Sequence, residues 1–221
     1  MLETTLVFVV ALFAFYSLKR HHYIEPEISV KIKDQVGKLW GMAHHNMREN
    51  RFVRAEKALL TILKIDKTNA AAYNRLGVLY AKQKEYKDAI ECFEIASSIQ
   101  PTAPSLHNLG LIYYETENYE KAVRAFENAL QLDDTMASRH IAVAKALEHL
   151  GNEKLMQEHL EKAAELEPTK ESYSLLIALY RKKDMNIEAD QLEHKLKKMV
   201  ESTAKQKKPL RLRRSKRRVV V

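Results

Sequence analysis

The sequence predicts an all-α protein, an α-solenoid of about five helical hairpins preceded by a single N-terminal transmembrane helix. Three observations carry this. A set of apolar and small residues recurs at a stride of 33 or 34 residues. Glycine and proline are rare, five of each in 221 residues, and strand-like alternation of β-branched residues is scarce. The chain also opens on an uncharged run, "TLVFVVALFAFYSL" at Thr5–Leu18, followed at once by Lys19, Arg20, His21 and His22.

The opening run comes first. With Leu2 and Thr4 it spans about 17 residues, roughly 25 Å as a helix, at the short end for a bilayer. A cleaved signal peptide needs positive charge before its apolar stretch, and here the charge follows it. The expectation is an anchor over residues 1–18 and a juxtamembrane linker over 19–35. The positive-inside rule then leaves the N-terminus outside and the repeats in the cytoplasm.

The repeats follow, over residues 36–203. Aligned on one small or medium residue, the register reads Ala55, Ala89, Ala122, Met156 and Ala189. Four positions later stand Leu59, Phe93, Phe126, Leu160 and, breaking step, Glu193. Earlier in each unit Tyr80, Tyr113, Leu147 and Tyr180 recur, with Asn46 at that place in the first unit. Large residues three or four apart put an apolar stripe on each of two helices. Gly77 and Gly110 remove side chains where the paired helices cross, letting backbones approach, and Phe93 and Phe126 fill the gap between the second helix and its neighbours. Pro101 and Pro168 end second helices, since proline lacks the N–H and disfavours helix before it. No hairpin can bury its apolar face alone, so the hairpins stack. The fifth unit departs from the pattern at Glu193 and reads as a polar end cap.

Tyr73, Leu76, Gly77, Tyr80, Ala89, Phe93, Ala96 and Pro101 in the second unit resemble the tetratricopeptide repeat. Leu106, Leu109, Gly110, Tyr113, Ala122, Phe126 and Ala129 repeat the pattern in the third, and the fourth and fifth keep it more loosely. The resemblance covers residues 36–200. It implies that first helices line a groove for a protein or peptide partner. The groove residues it implies are Trp40, His44, Met47 and Arg48, then Ala71, Asn74, Val78, Ala81 and Lys82. Pro104, His107, Leu111, Tyr114 and Glu115 follow, then Ser138, Ile141, Lys145, Glu148 and His149. Among these Asn74 is the foremost candidate, because a side-chain amide offers a peptide backbone both donor and acceptor. The Lys–Asn pair with which some relatives capture a C-terminal carboxylate is absent, Asn74 and Val78 standing in its place. Trp40, beside Val36 and Leu39, is equally suited to burial.

The net charge of +8 belongs to the C-terminus. Nine of the 37 Lys and Arg lie in 205–218, and the 28 others balance 29 acids. The tail, residues 204–221, is expected to be disordered when free. Lys207, Lys208, Arg211, Arg213, Arg214, Lys216, Arg217 and Arg218 suit anionic lipid, at about 1 kcal/mol per cation near the surface. They also suit RNA phosphates through counterion release, or plain solvation. No aromatic is interleaved for base stacking.

No catalytic chemistry is legible. His21–His22 and His44–His45 are adjacent pairs that diverge by about 100° on a helix and make poor chelates. No metal, nucleotide or other cofactor motif occurs. Cys92, the only cysteine, lies beside Phe93 and reads as packed. The expected role is a membrane-anchored, non-enzymatic scaffold gathering protein partners. The alternative is an RNA- or ribosome-tethering factor acting through the tail. An anchor followed by cytoplasmic repeats is also similar to lipopolysaccharide-assembly protein B, without the cysteine-rich metal module of that family. Import receptors of the mitochondrial outer membrane share the plan.

Overall fold

The computed structural model describes residues 30–206, which among themselves form ten α-helices and no strand. Helix α1 occupies residues 30–48. It is followed by α2 (Phe52–Ile65), α3 (Ala70–Gln83), α4 (Tyr86–Ile99), α5 (Ala103–Glu115) and α6 (Tyr119–Leu132). Then come α7 (Ala137–His149), α8 (Glu153–Leu166), α9 (Lys170–Lys182) and α10 (Asn186–Gln206). The expected anchor, residues 19–29 of the linker and the tail from Lys207 onward lie outside the described residues. No described helix is long and apolar enough to cross a membrane. Residues 30–35, read from the sequence as linker, are helical in α1, and α10 runs to Gln206. Neither stretch holds a glycine or proline to end a helix, whereas Pro26 and Pro209 stand just outside.

The chain divides into two compact units, one ending at Pro101 and the other beginning at Thr102. In the first, Ala43, Met47, Ala55, Leu59, Ile62, Leu76, Leu79 and Cys92 form the buried core, with Trp40, Phe52 and Val78 packed against it. The second is centred on Leu109, Phe126, Val143, Leu147 and Leu160. The recurring small residue does what its spacing predicts. Ala55, Ala89, Ala122 and Ala189 are 0% exposed and Met156 is 5% exposed. Glu193, where the pattern breaks, is exposed and paired with Arg181 of α9.

Each hairpin turns through one residue in the left-handed region: Asn50, Lys84, Glu117, Gly151 and Asp184. These fall at the same 33- or 34-residue stride, yet their identities differ at every turn. Helices α3, α5, α6, α8 and α9 are started by side-chain caps, whereas α2, α4 and α7 are not. Asn69, Asn118 and Asn152 each accept a backbone N–H, and Thr102–Ser105 and Thr169–Ser172 form reciprocal capping boxes. The recurring tyrosines tie neighbouring hairpins, Tyr80 donating to Glu56 at 2.7 Å and Tyr180 to Glu161 at 2.8 Å.

Candidate functional site

The first helices of the second unit, α5, α7 and α9, share a cavity of about 310 Å³. Its lining includes His107, Leu111, Tyr114 and Glu115 from α5, and Ser138, Ile141 and Lys145 from α7. All seven are residues that the repeat register nominates for the groove. Glu171 of α9, Phe126 of α6 and Ala142 complete it. Glu171 was legible in principle, since it lies 33 residues after Ser138 and 67 after Pro104, at the second motif position of the fifth unit. Phe126 carries only a packing signal in the sequence, and nothing marks Ala142.

The chemistry of the cavity is mixed. Leu111, Phe126 and Ile141 offer apolar surface. Lys145 and Glu171 meet at 2.5 Å, with both side chains more than a third exposed. An exposed pair of this kind is worth little, about 0–1 kcal/mol, and yields readily to a charged ligand. His107 packs its ring 5.3 Å from that of Phe126, and its Nδ1 is buried with no hydrogen-bond partner. Burial, with Arg139 nearby, holds its pKa below the ordinary imidazole value. At neutral pH the ring is therefore uncharged, with one polar atom unmatched by the protein. The Tyr114 hydroxyl lies 3.1 Å from His149 Nε2, and Tyr119 stacks on the same imidazole at 4.1 Å. This fixes the Tyr114 ring beside the cavity. Glu148 lines instead a smaller neighbouring cavity of about 190 Å³ with Met156, Leu175, Leu179 and Lys182.

Apart from Pro104, the other nominated residues belong to the first unit. Met47 is 5% exposed and part of the core, which corrects its assignment to the groove. It follows Asn46, whose Nδ2 donates to Met42 O at 2.8 Å, and that inward-facing turn carries Met47 with it. Trp40 is half-buried against the core, 5.8 Å from the His44 ring, and Val78 also packs on the core. His44 Nε2 is engaged by Arg75 Nη2 at 3.1 Å. Arg48 and Lys82 are exposed. Asn74 is half-buried on α3, and its Oδ1 is shielded without a hydrogen-bond partner. Cys92 is packed, and burial pushes its thiol up to about 11, far from a nucleophile at neutral pH. Among the described residues no three His, Cys, Asp or Glu side chains gather to hold a metal ion.

Comparison with known proteins agrees with this architecture. Residues 70–102 match one model of the tetratricopeptide repeat and residues 101–167 another. No curated protein sequence matches the chain. Among solved structures, MamA is similar at a TM-score of 0.71 and 20% identity, over 80% of this chain and 98% of that one. YrrB, described as a TPR protein with an unusual peptide-binding site, is similar at 0.61 and 20% identity, over 70% of this chain and 80% of its own. PilF of Pseudomonas aeruginosa is similar at 0.64 and 21% identity, over 72% and 74%. Identities this low speak for the fold alone. The described residues form an all-α helical repeat, and residues 70–167 of it match the tetratricopeptide repeat.

Proposed function

We propose that the protein is a membrane-tethered adaptor whose α5–α7–α9 face holds a peptide segment of a partner protein. The observation that carries this is the convergence of seven register-nominated side chains, from two helices, on one cavity. Apolar surface supplies affinity, while His107, Tyr114 and Ser138 supply hydrogen bonds that fix a peptide's register. A ligand group that pairs His107 Nδ1 recovers the cost of leaving a buried polar atom unmatched. YrrB, which shares the fold, is described as binding peptide, in line with this use of the scaffold. The uncharged run Thr5–Leu18, with Lys19 and Arg20 behind it, supports a single span with the repeats on the cytoplasmic side. Held near the bilayer by that span, the basic tail adds attraction to anionic lipid. The protein acts by binding, with no catalytic step.

Peptides selected from a random library on the wild-type chain test the binding site. They are expected to lose affinity for Leu111→Glu at least about tenfold, with helicity unchanged by circular dichroism. Undiminished binding would move the site elsewhere. For the tether, the protein should stay in membranes through a carbonate wash.

A further inference from the structure

In the first unit, α2 and α4 both pack on α3 and, since the chain reverses at each turn, run in the same direction. Between them lies a cavity of about 500 Å³, floored by Tyr73, Leu76 and Tyr80 of α3. One wall is Leu60, Leu63 and Lys64 of α2, with Lys67 just past its end. The other is Asp88, Glu91, Cys92 and Ile95 of α4. The α4 wall is thus an i, i+3, i+4, i+7 set, a single helical face two turns long, and the α2 wall keeps i, i+3 and i+4 before the chain leaves the helix.

The repeat itself shows that the fold does not require this cleft to be apolar. Leu60 is 42% exposed, and the equivalent place in later hairpins is taken by Glu94, Glu127, Glu161 and His194. Ile95 corresponds to Thr61, Asn128, Lys162 and Lys195. Four hairpins fold with polar residues at each position, so apolar side chains here answer to something other than helix packing. The charges are also arranged. Asp88 and Glu91 sit near the start of α4, and Lys64 and Lys67 at the end of α2. Acid therefore marks one end of the cleft and base the other. None of the four forms an ion pair with another of the described residues.

We propose that the α2–α4 cleft docks an amphipathic helix of a partner protein, basic at the end facing Asp88 and Glu91 and acidic at the end facing Lys64 and Lys67. Two parallel helices over a third form a groove that accepts the side-chain ridge of a fourth. Apolar residues at i, i+3, i+4 and i+7 of the guest fill the space between Leu60, Leu63 and Ile95. The complementary ends fix its direction. This surface is separate from the peptide-binding face of the second unit and does not depend on it.

The test uses the full-length chain in detergent. The probe is a fluorescein-labelled synthetic helix of about four turns. It carries a leucine ridge, lysines at one end and glutamates at the other. Saturable binding by anisotropy is expected. Leu60→Glu and Ile95→Asn copy residues that other hairpins carry. Each is expected to weaken binding about tenfold or more and leave the melting curve unchanged. A probe with serines in the ridge should not bind, and one with its end charges made uniform should bind more weakly at low salt. The proposal is overturned by binding that ignores Leu60→Glu or by no saturable binding. It is equally overturned if sedimentation shows a dimer that Leu60→Glu dissociates, for then a second copy of the chain is the occupant. Loss of binding on Leu111→Glu alone would place the probe on the other unit and also sink it.

Discussion

A Cβ on residue 110 would lie 2.5 Å from Cδ1 and Cε1 of Phe126: the α6 ring occupies the place where α5 has no side chain. Gly77 and Phe93 repeat the relationship in the other unit, at 2.8 Å. The glycine thus makes room for an aromatic ring, and close backbone approach is not its purpose. Alanine in an exposed helix stabilises by about 1 kcal/mol relative to glycine. In a packed site overfilling costs about 1–3 kcal/mol. Gly110→Ala is therefore expected to lower stability in a urea melt. Gly41→Ala, in α1 with nothing within 4 Å of its Cβ, should raise it by about 0.5–1 kcal/mol. If both changes moved the midpoint the same way, the ring would not be what holds residue 110 to glycine.

The turn residues make a second expectation. Lys84 and Glu117 hold φ of 64° and 60°, where a side chain crowds its own backbone. Glycine is free of that crowding, as at Gly151. Lys84→Gly and Glu117→Gly should each stabilise the fold by about 1 kcal/mol, read as a shift in urea midpoint. Asn50→Gly should gain less, because asparagine tolerates this region.

A pH dependence follows from α7 and α8. His140 Nδ1 stands 3.0 Å from His159 Nδ1, so one ring donates a single hydrogen to the other. Burial holds both pKa values below the ordinary 6.5, and His140 further lowers that of His159. Asp134 and Glu158 oppose this and Lys162 assists it, without changing the direction. In the unfolded chain both rings gain protons near 6.5, whereas the folded pair resists. The folded state is therefore fully favoured above that pH and loses stability as pH falls below it. The slope is at most about 1.4 kcal/mol per pH unit for each proton withheld. His159→Ala copies Ala125, the equivalent residue of α6, and should flatten the curve between pH 6.5 and 4.5. An unchanged slope would mean that the pair titrates as free histidines.

The Lys145–Glu171 pair sets a charge preference in the proposed groove. With Glu171→Gln, Lys145 is released to a ligand carboxylate. Peptides selected on this variant should be richer in Asp and Glu, and acidic ones should bind about three- to tenfold better than to wild type. Selection indifferent to the change would place Lys145 outside the contact.

Much of the fold was readable because tetratricopeptide packing repeats. The alanine column, Phe93 and Phe126 each appear at the predicted depth, and seven groove residues line one cavity. Met47 was misplaced because motif register alone does not say how far a helix is rotated about its axis, and α1 turns that residue inward. Turns are legible in "ENY" at Glu117–Tyr119 and "GNE" at Gly151–Glu153, but the left-handed positions as a recurring set escaped because five different residues occupy them, only one a glycine. Nothing in the letters pairs His140 with His159, nineteen residues apart on two helices.

By itself, then, the sequence determined the helical hairpins, their stride and which recurring residues go inward. Those contacts join residues near one another in the chain and recur every 33 or 34 positions, so periodicity exposes them. Only the tertiary structure decided which non-recurring side chains come together: Lys145 with Glu171, His140 with His159, and Leu60 and Ile95 on the walls of one cavity. Such meetings depend on crossing angles and helix rotation, which a repeating pattern leaves open.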